Sequence, residues 1–314
     1  MNIVDMGQHP YPRDLRGYAD TPPEQCWPNG ARLALNFVLN YEEGAENTLL
    51  NGDTQSENYI HEIPATTPLF RQRDVNAESV YDYGARVGVW RLLRIFEQAQ
   101  IPVTVFAVGH ALALNPRVGR AFATAGHEVA SHHWRWKNYI DVDPSVEKEH
   151  IQRSIEVITE LTGTAPVGWY SGRGSLHSRE LAAAAGFKYD SDAYDDELPH
   201  WQLVNDKPQL IIPYTLDVND FRFSLPSGYA TGADFEQHMR DTFDVLYSES
   251  AQTPRMMSVG LHPRMAGRPG RARALQRFIA YVKEVDGVWI CTRAQIAEHW
   301  YRSMPPANLR SAMP

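Results

Sequence analysis

The chain has 314 residues, with 30 Lys and Arg against 38 Asp and Glu, a formal net charge of −8 and 43% hydrophobic residues. That composition is an ordinary globular one, and its acidity argues against nucleic acid or an anionic membrane as the main partner, since neither would gain from charge attraction or counterion release. No apolar run reaches the roughly 18 residues that a membrane span needs, and the first residues lack the basic-then-apolar order of a signal peptide, so a cytoplasmic location is expected.

Residues 1–30 are rich in Pro, Gly and charge and predict an extended N-terminal arm. Arg32 to Leu39 form a continuous apolar run of strand length. Residues 45–80 are polar and aperiodic, a length that suits a lid, a binding segment or a subunit contact. Val89, Leu92, Leu93 and Phe96 then predict a helix over 85–99, and the β-branched stretch 101–109 predicts a strand. A helix at 117–125 ending on Gly126 precedes a strand at 128–131. The next helix opens at Pro144 with Asp143 as cap, is expected to bury Val146, Ile151, Ile155, Ile158 and Leu161, and stops at Gly163. Further strands are predicted at 167–170, 187–190, 210–213, 257–261 and 288–291, with helices at 178–185, 234–249, 271–285 and 294–302. About eight short apolar strands alternating with amphipathic helices indicate an α/β fold: a parallel sheet closed or nearly closed into a single (β/α) barrel over 31–303, followed by a tail at 304–314.

In such a barrel the chemistry collects where strands end. The first strand runs into Tyr41, Glu42, Glu43 and Gly44, and strand 128–131 into His132, His133, Trp134 and Trp136. Strand 167–170 leads to Arg173, strand 187–190 to Asp190, Asp192, Asp195 and Asp196, strand 210–213 to Asp217 and Asn219, and strand 257–261 to His262, Pro263 and Arg264. Each group has a plain reading: tandem acids solvate loops or cap helices, lone histidines are satisfied core groups, and Arg173 pairs with a nearby aspartate. Their arrival at one rim from independent strands favours hydrolysis instead. Amide hydrolysis needs a base to activate water, an acid for the leaving group and a polarising group. Glu42 or Glu43 can be the base, His262 can deliver the proton, and Arg173 can hold the base ionised or orient a carbonyl. An open zinc triad would add a second His four residues beyond the first, yet Trp136 stands four beyond His132 and Lys137 four beyond His133. No resident metal or other cofactor is therefore expected, although Glu43 and His132 with a third group could still assemble a metal site. Cys26 and Cys291 make no Cys-x-x-Cys, and no Gly-x-Ser-x-Gly, Walker loop or Gly-x-Gly-x-x-Gly after a strand is present.

The segments YPRDLRGY (11–18), PP (22 and 23), NFVLNYEEG (36–44), YDYGARVGVWRLL (81–93), GHEVASH (126–132), GWYSGR (168–173), YDDELPHW (194–201), IPYTLDVNDFRF (212–223) and GLHPR (260–264) together resemble the polysaccharide deacetylase superfamily, and within it the metal-independent allantoinase branch. The resemblance runs from Tyr11 to Trp300. It implies a distorted (β/α) barrel of about seven parallel strands and a homo-oligomer, a tetramer. It also implies Glu42 in the base position, Glu43 in the position of a metal-binding carboxylate, Trp136 in place of the second histidine of a His-x-x-x-His pair begun by His132, and His262 as the acid. His133, the segment 172–180 and Pro263 depart from the branch's pattern and extend the expected substrates to related ureides, hydantoins and lactams. The resulting expectation is a hydrolase that opens a small cyclic amide, with Glu42 and His262 catalytic and Glu43, His132, His133, Trp136, Tyr170 and Arg173 lining the substrate pocket. A metal-dependent deacetylase of amino sugars is the alternative, and a silent barrel that only binds ureides or sugars is the third reading.

Overall fold

A computed structural model describes residues 13–18, 21–24, 27–63 and 67–306, so Cys26, most of the expected arm and the tail from 307 lie outside the described residues. The strands are β1 (Leu33–Tyr41), β2 (Thr104–Ala107), β3 (Glu128–Ser131), β4 (Gly168–Trp169), β5 (Tyr189–Asp190), β6 (His200–Val204), β7 (Lys207–Ile211), β8 (Arg255–Leu261) and β9 (Val288–Ile290). The parallel strands β7-β5-β4-β3-β2-β1-β8 follow one another round a ring, and β9 pairs with the start of β1. The ring is therefore the expected (β/α) barrel, left open between the β6-β7 hairpin and β8. Among the described residues a single bridge, Asn219 to Gly260, crosses that gap.

Three local expectations need correction. The strand predicted at 210–213 is the second arm of an antiparallel hairpin, β6-β7. Its turn residues Asn205 and Asp206 both have left-handed φ, 51° and 59°, the twist that tight hairpins require. The helix predicted over 85–99 begins at Val75, where Asp74 caps the amides of Asn76 and Ala77, and it passes through a π-helical turn, Gly84–Gly88, before continuing as Val89–Ala99. Its first turns are polar, which hid them from the periodicity. The helix Pro144–Thr162 is capped by Asp143 and ends on Gly163 as expected, but Val146 is 42% exposed, because the apolar stripe starts at Ile151.

The period of two along a strand sorts the core. Leu35, Phe37 and Leu39 of β1 face outward and pack with Phe96, Phe243 and Phe278 of the surrounding helices. Val38 faces inward, joining Phe106, Ala130, Tyr170 and Tyr214. Deeper in the ring the buried Arg293 donates to Asn36, Ser191 and Ser258 and to the carbonyls of Ile212 and Pro213. Full burial of one Leu or Phe stabilises by about 1.5–3 kcal/mol. The many such residues on the outer face make the helix layer the main source of stability and leave the polar interior to hold side chains in place. No helix among the described residues is long and apolar enough to cross a membrane.

Candidate active site

The same alternation builds the site. Asn40 donates to the Tyr214 hydroxyl inside the ring, Ala130 packs in the inner cluster, and a Cβ on Gly260 would lie 2.3 Å from Asn219 Nδ2 and 2.5 Å from the Tyr214 hydroxyl. Two residues further along their strands, Glu42, His132 and His262 keep that inward face and meet at the mouth. Glu42 Oε1 lies 3.2 Å from His132 Nε2 and 3.5 Å from His262 Nε2. All three side chains are buried.

Two residues that the sequence reading left without a role complete the group. The guanidinium of Arg264 is fully buried, with Nη2 donating to Glu42 Oε2 at 2.6 Å, Nη1 to Glu43 Oε1 at 3.3 Å and Nε to the Ile60 carbonyl at 2.9 Å. Asp220 accepts from His262 Nδ1 at 2.6 Å and from the amides of His262 and Ala266. Burial alone would raise the Glu42 carboxyl, but Arg264 and His262 outweigh it and hold the group well below the usual carboxylate range. Burial likewise disfavours a charged His262, yet Glu42 and Asp220 lift it to about 9. At neutral pH an ionised carboxylate therefore stands beside a protonated imidazole, the states that a base and an acid need. For Glu43 the balance runs the other way: burial raises it and Arg264 offsets only part. Its Oε2 accepts the Glu42 amide at 2.9 Å, and its chain packs under Gly84, where a Cβ would fall 2.4 Å from Oε1.

The segment 45–63 covers this group. The buried Arg135 holds it through the carbonyls of Ala45, Glu46 and Asn51 and through Asp53 at 2.5 Å. Tyr59 stacks on Trp136 at 6.0 Å between centroids, and Arg173 lies 4.7 Å over Trp136 while pairing with the buried Glu57 at 3.1 Å. Trp136 also lies 5.2 Å from the Arg264 guanidinium, which places its indole beside the group, with Arg173 on the far side of it. Tyr170 contributes its carbonyl, 3.2 Å from His132 Nδ1, while its ring stacks on Phe106 at 4.7 Å.

His133 does not join the group. The residue after an inward-facing one points outward, and here a left-handed φ of 66° lays the ring on Tyr139, 3.6 Å between centroids, with Nε2 3.4 Å from Glu147 Oε1. Burial pushes its imidazole down to about 4. The expectation that it lines the pocket is thus replaced by a packing role. The aspartates after β5 and β7 serve local structure: Asp190 pairs with Arg179, Asp192 accepts the amides of Ser171 and Gly172, Asp195 meets His200, and Asp217 meets Arg222 and His238.

The residues present do not fit a resident metal ion. The positive charge that two adjacent carboxylates require comes from Arg264, and an indole occupies position 136. Among the described residues no group of three His, Cys, Asp or Glu side chains is arranged to hold a cation. The chemistry within reach of this site is general acid and base attack by water on an activated carbonyl.

The pair of ionisations sets a pH profile. Activity should be level across neutral pH, since Glu42 is already ionised there, and should fall as His262 loses its proton near 9. Asp220→Asn removes one of the two charges that raise the imidazole, so it should move the alkaline limb to lower pH. A kcat/KM profile whose alkaline limb stays in place would remove His262 as the acid.

Comparison with known proteins agrees with this architecture. Residues 73–190 match the family model described as polysaccharide deacetylase. A Schizosaccharomyces pombe protein named for polysaccharide deacetylase is 40% identical over 316 residues, covering 93% of this chain and 98% of that protein. The crystal structure of a "probable polysaccharide deacetylase" from Pseudomonas aeruginosa PAO1 is 50% identical with a TM-score of 0.92, covering 94% of this chain and all of the other. The crystal structure of PuuE allantoinase is 48% identical with a TM-score of 0.93, over 95% of this chain and all of that one.

Proposed function

The chain belongs to the polysaccharide deacetylase family, a family of hydrolases acting on carbon–nitrogen bonds, and we propose that within it this protein opens a small cyclic amide such as allantoin or a related hydantoin. Glu42 takes a proton from water as the water attacks the ring carbonyl. The imidazolium of His262, oriented by Asp220, gives its proton to the departing ring nitrogen. His132 holds the oxygen of Glu42 that faces His262, and Arg264 keeps the carboxylate ionised in a buried setting. Trp136 and Arg173 form the wall against which a flat ureide ring packs.

The observation that carries this reading is one carboxylate oxygen, Glu42 Oε1, shared by imidazoles from two different strands, with a guanidinium on the other oxygen. A ring amide flanked by a ureido nitrogen is a stronger electrophile with a better leaving group than a sugar N-acetyl, so base, acid and fixed charges suffice without a Lewis acid. The covering segment 45–63, tied by Glu57 to Arg173 and by the Ile60 carbonyl to Arg264, favours a small molecule over a polymer chain. Self-association as a tetramer and a cytoplasmic location belong to the same proposal.

A panel of allantoin, hydantoins, dihydropyrimidines, cyclic imides and N-acetylated sugars, each assayed with and without chelator, tests it. Ring opening that persists in chelator is the expected outcome. Release of acetate from a sugar, abolished by chelator, with no ring opened, would reject it in favour of a metal-dependent deacetylase.

A further inference from the structure

Arg86, Arg94 and Arg117, with Val87 and Trp90, line a surface groove of about 420 Å³ between the helices Val89–Ala99 and Pro116–Thr124. Arg117 lays its guanidinium 4.9 Å over the Trp90 ring. Among the described residues none of the three guanidinium groups makes a hydrogen bond or an ion pair. Elsewhere Arg73, Arg135, Arg173, Arg179 and Arg271 each hold a carboxylate. Acidic side chains outnumber basic ones in this chain, so three guanidinium groups left together without one are a distinctive local excess of positive charge.

The scaffold beneath the groove is fixed from within. Arg86 and Val87 sit on the π-helical turn Gly84–Gly88, whose inner side is pressed against the catalytic end of the barrel: a Cβ on Gly84 would meet Glu43, and one on Gly88 would lie 2.0 Å from the Pro263 carbonyl oxygen. Such turns recur at functional sites. The outer side carries Arg86, while Arg94 and Arg117 come from the two helices, and Trp90 supports the Arg117 guanidinium. Guanidinium forks suit oxyanions, and three of them offer more donors than the two oxygens of one carboxylate can accept. A groove of this size is within the range of small-molecule sites.

We propose that this groove binds a small phosphate-bearing polyanion, with Arg86, Arg94 and Arg117 as its donors and Trp90 as the support for Arg117. Neither the family comparison nor the hydrolytic site calls for it. Titration calorimetry of the full chain with pyrophosphate and with inorganic phosphate, in low-salt buffer, tests it. Saturable binding of pyrophosphate, tighter than that of phosphate, is expected. It should weaken as sodium chloride rises. In the triple variant R86Q/R94Q/R117Q it should weaken at least tenfold, while ring-opening activity and melting temperature without ligand stay unchanged. Absence of saturable heat with either anion overturns the proposal, as does equal affinity in the variant. Loss of assembly in the variant, with no anion bound by the parent chain, also overturns it and assigns the groove to a second copy of the chain.

Discussion

Replacing Glu42 by Gln is expected to lower kcat/KM for ring opening by about 100- to 10,000-fold, the range that a positioned general base contributes. Gln keeps the shape and an acceptor oxygen for His132 but cannot take a proton from water. The substitution also removes the charge paired with Arg264, whose guanidinium would keep only Glu43 and the Ile60 carbonyl. Breaking a buried ion pair by removing one partner costs about 3–5 kcal/mol, so the melting temperature should be read beside the rate. A third readout separates the two effects. Glu42 is the largest of the groups raising His262, so the imidazole of a folded Glu42→Gln variant should titrate lower than about 9. A folded variant that retains a tenth or more of the parent rate would remove Glu42 as the base.

The second large effect belongs to a glycine. Gly88→Ala would ordinarily be tolerated or mildly stabilising in a helical setting, by about 0.5–1 kcal/mol. Here the added methyl falls 2.0 Å from the carbonyl oxygen and 2.7 Å from the carbonyl carbon of Pro263, backbone atoms that cannot rotate aside. Overpacking typically costs about 1–3 kcal/mol, and at this distance the upper part of that range applies. Because Pro263 lies between His262 and Arg264, the displacement reaches both, and kcat/KM should fall with the melting temperature. Gly270→Ala supplies the control: it lies in the helix Pro269–Lys283 with nothing within 4 Å of a Cβ, so it should leave both quantities nearly unchanged. Equal melting temperatures for the two variants would show that the Gly88 contact relaxes without cost.

Most of the barrel was legible because its strands are short apolar runs with helices between them, and that pattern survives without tertiary information. The site was legible as far as alternation reaches. Glu42, His132 and His262 stand two residues beyond inward-facing positions, whereas Glu43 and His133 stand three beyond, and that parity separates the convergent groups from their immediate neighbours. Reading His132 and His133 as equal candidates ignored it. Arg264 was in plain view in GLHPR, but nothing local says that a guanidinium after a strand turns inward. The available signal was electrostatic: two adjacent buried carboxylates with an incomplete set of metal ligands must find a cation elsewhere. Asp220 lies 42 residues before its partner His262, and a contact across that separation leaves no trace in periodicity. The β6 arm of the hairpin was missed because its apolar residues do not form a buried run, Leu203 being exposed and Trp201 half-buried, although Asn205-Asp206 is a competent tight turn.

The unsealed side of the barrel has a consequence for how such a protein can change its diet over time. Asn219, which bridges to Gly260 across that gap, is next in sequence to the carboxylate that orients the proton donor. Any remodelling of the crossing from Tyr214 to Phe223 would disturb the wall and the acid together. The turn bearing Arg173 and the cover short of Ile60, whose carbonyl accepts from Arg264, hold no such double duty, so they are where new substrates can be accommodated while the proton-transfer machinery stays intact.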